Sequence, residues 1–400
     1  MKLDLKDQTL PLVAKTFAGL ENILAEELTK LGAKDVRTVK RAVEFSGDLE
    51  LLYKVNLWCR TAINFLYLIK SFEIKEQQDL YDGLRQIKWD KYFDHSNTIA
   101  VKAIIFDTVF DNSHFVELRS KDAIVDYFSE KFSSRPNVDT RDPDIKISIH
   151  LSKNTCKVSL DSSGAQLFKR NYRKSGGEAP LNEVLAAGLI KLTGWDEKSP
   201  FIDPMCGSGT IPIEASMLAQ NIPAGIHRKG FAFQNWKSYD SGLYENIKTQ
   251  AKEYQKPFEK PVVEGYDISG RNTGIARQNI MQAGLLGTIH LQRNDFFRHT
   301  PSHKSGTLIM NPPYGKRLKQ NDLIEFYKSI GDTLKSKYEG YSAWIISEDD
   351  YPLRFVGLRP SEKFTVFNGP IECRFLKFEI YKGSKKWEEG KKHFRKDSKK

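Results

Sequence analysis

Long apolar runs are absent from this sequence of 400 residues. None of its segments approaches the roughly 18 consecutive apolar residues of a membrane-spanning helix. The amino-terminal segment, Met1–Asp7, also lacks the apolar centre of a secretory signal peptide. The sequence therefore predicts a cytoplasmic protein that makes no contact with a membrane.

Cysteine is scarce, and its few positions are widely scattered. The four cysteines are Cys59, Cys156, Cys206 and Cys373. They show neither the spacing of a disulfide framework nor that of a zinc site. We expect four reduced thiols and no bound metal.

Negative charge is in the minority, but the excess of positive charge is unevenly spread. The formal net charge is +11, which is typical of a protein with a polyanionic partner. Residues 1–150 contain 22 Lys and Arg against 24 Asp and Glu, whereas residues 351–400 contain 14 against 6. A polyanion-binding surface in the first third of the chain must therefore be a local patch that net charge does not reveal.

The most informative stretch is Phe201–Thr210, with the sequence Phe-Ile-Asp-Pro-Met-Cys-Gly-Ser-Gly-Thr. It predicts a short buried strand, a glycine turn and then a helix over Ile211–Gln220. In an open α/β sheet, a turn at the carboxyl end of a strand lies where ligands bind. Gly207 and Gly209 let the backbone approach a ligand closely, and the free N–H groups of the helix point towards it. This pattern favours a nucleotide-like cofactor.

Three later predicted strands also end in polar side chains. The strands cover residues 262–267, 288–295 and 308–314, and they carry Asp267, Asp295 and Asn311 at or near their ends. The second strand of such folds holds ribose hydroxyls with a carboxylate. These positions strengthen the prediction of a cofactor site.

The motif Asn-Pro-Pro-Tyr at residues 311–314 is the sharpest chemical signal in the chain. Pro312 and Pro313 fix φ and remove two backbone donors, so the motif presents a rigid arc of acceptors. The Asn311 side-chain oxygen and the Pro312 carbonyl suit the two protons of a planar –NH₂ group, whose lone pair then tilts towards an electrophile. Tyr314 would stack on the ring that carries this amine. The alternative to a substrate-binding role is a purely structural Asn-Pro-Pro turn with a packed aromatic side chain.

The sequence Asp-Pro-Met-Cys-Gly-Ser-Gly-Thr at residues 203–210, followed by Asn-Pro-Pro-Tyr, resembles the class I S-adenosylmethionine-dependent amino-methyltransferases. Residues 176–183 (Gly-Gly-Glu-Ala-Pro-Leu-Asn-Glu) and 311–318 (Asn-Pro-Pro-Tyr-Gly-Lys-Arg-Leu) are similar to the bacterial 23S ribosomal RNA guanine-N2 methyltransferases that carry a THUMP domain, the RlmL-like family. The resemblance runs from about residue 10 to about residue 382.

The resemblance implies S-adenosylmethionine as cofactor and methyl transfer to the exocyclic N2 amine of a guanine in 23S ribosomal RNA, free or in a large-subunit assembly intermediate. The transfer would be one in-line displacement without a metal or a covalent enzyme intermediate, by a chain that we expect to be a monomer. The implied cofactor residues are Asp203, Pro204, Gly207, Gly209, Asp267, Ile268, Asp295 and Asn311, and the implied catalytic residues are Asn311, Pro312, Pro313 and Tyr314.

Other functions stay open because an Asn-Pro-Pro-Tyr arc serves any planar –NH₂ group. An adenine-N6 or protein-glutamine methyltransferase, or another amino-methyltransferase of RNA or DNA, is one alternative. A non-catalytic RNA-binding protein of ribosome assembly is another, against which the acids at the strand ends argue.

The predicted fold class is α/β, with a doubly wound, Rossmann-like class I methyltransferase domain behind two α+β domains. Residues 1–70 show a β-α-β-β-α-β order typical of a ferredoxin-like domain. Residues 71–165 resemble an RNA-binding THUMP domain, with about residue 50 as an alternative start of the match. A linker (166–180), the methyltransferase domain (181–382) and a basic tail expected to be disordered when free (383–400) complete the chain.

Two further segments carry expectations. The basic run Phe168–Lys174 interleaves aromatics with cations, a pattern that favours RNA contact or else a solvated linker; the predicted RNA-binding residues are Lys169, Arg170, Arg173 and Lys174. Residues 221–261 form a predicted insertion that covers part of the substrate pocket, with Phe231, Phe233 and Trp236 in a local core. We expect residues 1–165 to supply most of the RNA affinity.

Overall fold

A computed structural model describes Leu5 and residues 8–173, 181–256, 262–313 and 320–382. The chain divides into two compact units. Unit 1 contains Met1–Asn171 and Asn221–Gln255, and unit 2 contains Tyr172–Gln220 and Lys256–Lys400. Across the described ranges, the helices are too short or too polar to cross a membrane.

The first part of the chain forms β1 (Leu10–Lys15), α1 (Glu21–Lys30), β2 (Lys34–Val39), β3 (Ala42–Gly47), α2 (Leu49–Trp58), β4 (Asn64–Glu73), α3 (Gln77–Arg85), β5 (Ile99–Phe106), α4 (Ser113–Phe132), β6 (Ile145–Ser152) and β7 (Thr155–Asp161). The middle part forms α5 (Glu183–Leu192), β8 (Phe201–Asp203), α6 (Thr210–Ala219) and α7 (Ser241–Glu253). The last part forms β9 (Val263–Asp267), α8 (Gly270–Gln282), β10 (Ile289–Arg293), β11 (Gly306–Met310), α9 (Gln320–Lys337), β12 (Tyr341–Ser347), α10 (Asp350–Leu353), β13 (Glu362–Asn368) and β14 (Ile371–Glu379).

Unit 1 contains one seven-stranded sheet with the strand order β2-β3-β1-β4-β7-β6-β5. All neighbouring pairs are antiparallel except β5 and β6. The predicted β-α-β-β-α-β order is present in β1 to β4. Strand β4 joins the two predicted amino-terminal domains, because it pairs with β1 through residues 64–67 and with β7 through residues 66–73. Residues 1–70 and 71–165 therefore share a single sheet.

The insertion in the second half of the sequence belongs to unit 1. Residues 221–255 return to that unit, and Phe231, Phe233 and Trp236 are almost fully buried in its core. The ring of Phe233 stacks on that of Tyr53 in α2 at a centroid distance of 4.3 Å. The prediction that these aromatics lie in a core is confirmed, but the core is that of the amino-terminal unit. That the insertion covers part of the substrate pocket stays a prediction.

Unit 2 is built on a seven-stranded sheet with the strand order β10-β9-β8-β11-β12-β14-β13. The first five strands are parallel, and β14 is antiparallel to both β12 and β13. This is the doubly wound, Rossmann-like arrangement predicted from the sequence. The chain order reverses at β8, which pairs with β9 on one side and β11 on the other. Ligands bind outside the carboxyl ends of the strands at such a switch point.

Candidate cofactor and substrate site

The polar strand ends predicted from the sequence lie along one edge of the unit 2 sheet. Asp203 ends β8, Asp267 ends β9, Asp295 follows β10 by two residues and Asn311 follows β11 directly. Because these four strands are parallel and adjacent, their carboxyl ends meet at the same edge. The structure therefore brings these four predicted site residues together.

The glycine turn has the geometry of a ligand cradle. Gly207 and Gly209 both have positive φ, +54° and +83°, which glycine adopts without strain. A side chain at Gly209 would lie 3.1 Å from the Cβ of Ala276 in α8, so this glycine allows α6 and α8 to pack closely. A side chain at Gly207 would meet none of the described atoms within 4 Å. Open space therefore lies beside the Gly207 backbone.

Asp267 joins the glycine turn to the end of β9. Its Oδ2 accepts a hydrogen bond from the Gly207 amide (2.9 Å), and its Oδ1 accepts from the Ser269 amide (2.8 Å) and Asn272 Nδ2 (3.2 Å). A carboxylate offers about four acceptor positions, so a ligand hydroxyl would use the remaining one or replace Asn272. The next residue, Ile268, is 64% exposed and offers an apolar surface beside this carboxylate.

Asp203 is buried beside Asp267. Burial raises the pKa of Asp203 well above its usual value, the Met205 amide opposes this rise, and the charge of Asp267 adds to it. Across the described residues, neither carboxylate forms an ion pair with a Lys or Arg side chain. Burial and the two nearby carboxylates also raise the pKa of the Cys206 thiol, which disfavours a thiolate nucleophile. A cationic ligand would relieve the repulsion between the two carboxylates.

Asp295 and Pro204 frame the site. Asp295 Oδ1 accepts a hydrogen bond from the Phe297 amide at 3.0 Å and so holds the turn after β10. Its side chain is 28% exposed, which leaves part of the carboxylate accessible to a donor. Pro204 continues directly from Asp203 into the glycine turn and is buried.

Asn311 has the most unusual environment in the site. Its Oδ1 is buried and has no hydrogen-bond partner among the described residues. Pro312 is buried and Pro313 is half-buried. A buried acceptor without a donor costs about 1–3 kcal/mol, so this oxygen is set for a partner that is not part of the described protein. Tyr314 lies outside the described residues.

One support of the glycine turn was not predicted from the sequence. Asn279, nearly fully buried in α8, donates from Nδ2 to the carbonyl of Ser208 at 3.0 Å. Ser208 lies between the two glycines, so Asn279 helps to fix their conformation. An Asn in a helix interior gives no sequence signal for such a role, because only the packing of α8 on α6 brings it to the turn.

Comparison with protein families decides the class of this site. A family model described as "RMKL-like, methyltransferase domain" matches residues 170–377, more than half of the chain. The chain belongs to the RMKL-like methyltransferase family. Models of a THUMP domain and of an RlmL ferredoxin-like domain match residues 75–161 and 11–63. These matches confirm that the chain contains ferredoxin-like, THUMP and methyltransferase domains.

Full-length similarity extends to other members of the RMKL-like family. A Synechocystis sp. protein, provisionally named an RNA methyltransferase, is 38% identical over 93% of this chain and 97% of its own length. The ribosomal RNA large subunit methyltransferase K/L of Psychromonas ingrahamii is 38% identical over 91% of this chain but only 49% of its own length. The chain thus spans about half the length of the K/L relative.

Solved structures share the same fold. SMU.472, provisionally described as a methyltransferase, was solved in complex with S-adenosylhomocysteine (SAH). It superposes with a TM-score of 0.86 at 30% identity, covering 94% of this chain and all of its own. A Listeria monocytogenes protein described as "a predicted N6-adenine-specific DNA methylase" superposes with a TM-score of 0.85 at 27% identity, covering 93% of this chain and 97% of its own. The predicted S-adenosylmethionine-dependent class of enzyme is confirmed.

The residues of the RMKL-like site fit this cofactor. The open space at Gly207 admits a ligand against the backbone, the Asp203 carboxylate suits the positive charge on the methionine side of the cofactor, and Asp267 suits a ribose hydroxyl. Ile268 offers an apolar face for the adenine.

Two members of the predicted RNA-binding run do not fit their predicted role, and Arg170 is the first. Its side chain is 1% exposed and donates to the carbonyls of Leu167 (2.7 Å) and Arg60 (2.6 Å). Arg170 is therefore an internal support of unit 1, because its guanidinium caps backbone carbonyls. Lys169 is exposed and stays a predicted RNA contact, whereas Lys174 lies outside the described residues.

Arg173 is also engaged within the protein. Its Nη2 donates to the Leu181 carbonyl (3.0 Å) and to Thr210 Oγ1 (2.8 Å), and it forms an ion pair with Glu183 (3.0 Å) in which both side chains are largely buried. Arg173 thereby links the starts of α5 and α6. Its position next to the glycine turn favours a role in fixing that turn rather than a role in contacting RNA.

Proposed function

We propose that this chain transfers a methyl group from S-adenosylmethionine to the exocyclic N2 amine of a guanine in 23S ribosomal RNA. Bound S-adenosylmethionine supplies the methyl group as an electrophile. The residues named above would hold it at the carboxyl ends of β8, β9 and β10. The chain's own part in the chemistry is to orient the amine by accepting hydrogen bonds from its two N–H groups.

The unpartnered Asn311 oxygen is the observation that carries this proposal. An exocyclic amine is a weak nucleophile because its lone pair is delocalised into the base. Asn311 Oδ1 and the Pro312 carbonyl would each accept a hydrogen bond from one N–H group of the amine. These two hydrogen bonds direct the lone pair of the amine out of the ring plane. The amine supplies the donor that Asn311 Oδ1 lacks among the described residues, so substrate binding would satisfy a buried acceptor.

The choice of RNA is supported by the amino-terminal half of the chain. A THUMP domain match covers residues 75–161, and the K/L relatives are named for the large-subunit ribosomal RNA. The guanine-N2 amine is favoured by the resemblance at residues 176–183 and 311–318. An adenine-N6 target is the second candidate, because the Listeria structure at 27% identity is described as an N6-adenine methylase.

The nature of the methylated nucleoside tests the proposal. Purified protein, S-adenosylmethionine with a labelled methyl group, and 23S ribosomal RNA from a strain lacking the gene would be incubated and the RNA digested to nucleosides. We expect labelled N2-methylguanosine by mass spectrometry, and much less label in RNA from the parent strain, which is already methylated. Labelled N6-methyladenosine would refute the guanine assignment, and label in DNA alone would refute the RNA assignment.

The same assay separates the two forms of the substrate. Large-subunit precursors isolated from the deletion strain would be compared with protein-free RNA at equal RNA concentration. Faster labelling of the precursors would identify an assembly intermediate as the substrate, and faster labelling of protein-free RNA would identify the free molecule.

A further inference from the structure

The sheet of unit 1 has two different faces. Side chains such as Ile147 and Val158 point to the face that packs against the helices of the unit and belongs to its apolar core. Their sequence neighbours point to the other face, because successive side chains of a strand alternate. On this second face Lys102, Ile104, Phe106, His150 and Thr155 are exposed, whereas Ser159 and Asp161 on β7 are buried.

Pairing between the strands places several cations side by side on this second face. Lys102 lies opposite Ser148, His150 lies opposite Lys157, and Lys153 follows β6 in the turn to β7. Lys102 has 73% of its side chain exposed, and Lys157 has 40%. We call Lys102, Ile104, Phe106, His150, Lys153 and Lys157 the outer patch.

The outer patch also exposes apolar side chains between its cations. Phe106 is 68% exposed and Ile104 is 49% exposed, and both follow Lys102 on the same face of β5. The backbone amide of Lys153 donates to the Phe106 carbonyl at 3.1 Å, so the two residues are neighbours in the backbone. Exposed rings next to cations suit unpaired bases and their phosphates.

Lysine charges lie near His150 at the centre of the outer patch. Burial lowers the pKa of His150, and the charges of Lys15 and Lys157 lower it further. The acids near the patch are partly neutralised, because Glu44 pairs with Lys157 and Arg37, and Glu117 pairs with Lys102. Asp107 lies at the rim. Lys102 and Lys157 each share their charge with an acid, and lysines clustered on one accessible face form the kind of local patch that binding to a polyanion requires.

We infer that the outer patch is an RNA-binding surface that holds an unpaired segment of the substrate by its phosphates, with Phe106 stacked on a base. The inference rests on the proposed function, since it names the surface that would hold the RNA while unit 2 modifies it. It also assigns the predicted RNA affinity of residues 1–165 to one surface within that segment.

Charge removal with a matched control tests this surface. The patch variant combines Lys102→Gln, Lys153→Gln and Lys157→Gln in the full-length protein. The control variant combines Lys30→Gln, Lys88→Gln and Lys229→Gln, three exposed lysines outside the sheet, so that the net charge changes equally. Binding to an in vitro transcript of 23S ribosomal RNA would be measured by filter binding at several salt concentrations.

Each lysine that neutralises a phosphate contributes about 0.7 to the slope of log affinity against log salt for single strands. We expect the patch variant to bind roughly 10- to 100-fold more weakly near 0.1 M salt, with a slope smaller by up to about 2. The control variant should stay within about 2-fold of the wild type in affinity. Phe106→Ala should weaken binding to an unpaired oligonucleotide by about 10-fold, in line with the loss of one stacked base.

Three outcomes decide the inference. Equal affinity and equal slope of the patch variant and the wild type would overturn it, and so would equal losses in the patch and control variants. Restored affinity in the triple Lys→Arg variant would support it, because that variant keeps the charge. If wild-type protein binds RNA through the patch yet forms no N2-methylguanosine, the proposed function fails while the surface stands.

Discussion

Replacing Asn311 with alanine should lower activity without lowering stability. In most buried positions the loss of an amide side chain destabilises a protein, because its hydrogen bonds are lost. Asn311 Oδ1 has no such bond within the described part of the chain. Under the proposed function a substrate amine supplies the missing donor, so the variant should lose an interaction of the complex and not one of the free enzyme.

The magnitudes follow from this difference. Removing an unsatisfied buried acceptor removes an unfavourable contribution of about 1–3 kcal/mol to the folding free energy. Part of this gain is offset by the packing that is lost on truncation. We expect the free energy of unfolding to stay the same or rise by about 1 kcal/mol, a shift in melting temperature of about 2–4 °C for a body of this size. Loss of a polar contact that orients the reacting group costs about 2.7–4 kcal/mol, so single-turnover methylation should fall 100-fold or more.

Two measurements on each protein test this reasoning. Thermal unfolding gives the stability, and single-turnover methylation at saturating RNA gives the rate. Asn56→Ala is the matched control, because the Asn56 amide donates to the Leu52 carbonyl and Ser162 Oγ and accepts from Ser163 Oγ. That variant should lose about 2–3 kcal/mol of stability and keep its rate. A destabilised Asn311→Ala protein with a wild-type rate would show that the motif is only a structural turn.

Three other variants have outcomes fixed by their surroundings. Asp267→Ala should weaken S-adenosylmethionine binding by about 2–4 kcal/mol, because the carboxylate meets the ligand and also fixes the Gly207 amide; unchanged affinity in calorimetry would remove Asp267 from the site. Burial keeps the pKa of Asp203 well above 3.8 in the folded protein, so the ligand-free protein should lose stability as pH rises from about 3.8 through that raised pKa. Binding of the cationic ligand should release a proton in the same window, and calorimetry in buffers of different ionisation enthalpy should show no such release for Asp203→Asn. Arg170→Gln should destabilise the protein by about 2–4 kcal/mol in urea unfolding and leave the salt dependence of RNA binding unchanged; a reduced slope would restore Arg170 as an RNA contact.

Local patterns in the sequence predicted most of the secondary structure. The alternation and capping of residues 9–69 gave four strands and two helices close to their observed bounds. Helix α4 begins at Ser113, where Asn112 caps it. The first turns of α4 expose Phe115 and Leu118, so the usual amphipathic pattern is missing there. The pairing of β4 with β7 joins residues about 90 positions apart, and local periodicity carries no information on it.

The candidate site was predictable where a residue type follows from its place at a strand end. Asp203, Asp267, Asp295 and Asn311 occupy the sheet edge as predicted. The direction of a long side chain is set by tertiary packing instead. Arg170 lies in a basic run that is typical of RNA contacts, yet it turns inward because backbone carbonyls of its own unit accept its donors. The partnerless oxygen of Asn311 is likewise visible only in three dimensions.

The chain passes from unit 1 to unit 2 at residue 171, returns at residue 221 and leaves again at residue 255. The core of the amino-terminal unit therefore cannot close during synthesis until the ribosome has delivered Phe233 and Tyr244. A nascent chain that has reached only residue 170 exposes the apolar site that these rings fill. A cut in the linker leaves the same rings on the carboxyl-terminal fragment, without the amino-terminal core in which they are buried. Separate halves of this protein should therefore be made by moving residues 221–255 with the first half.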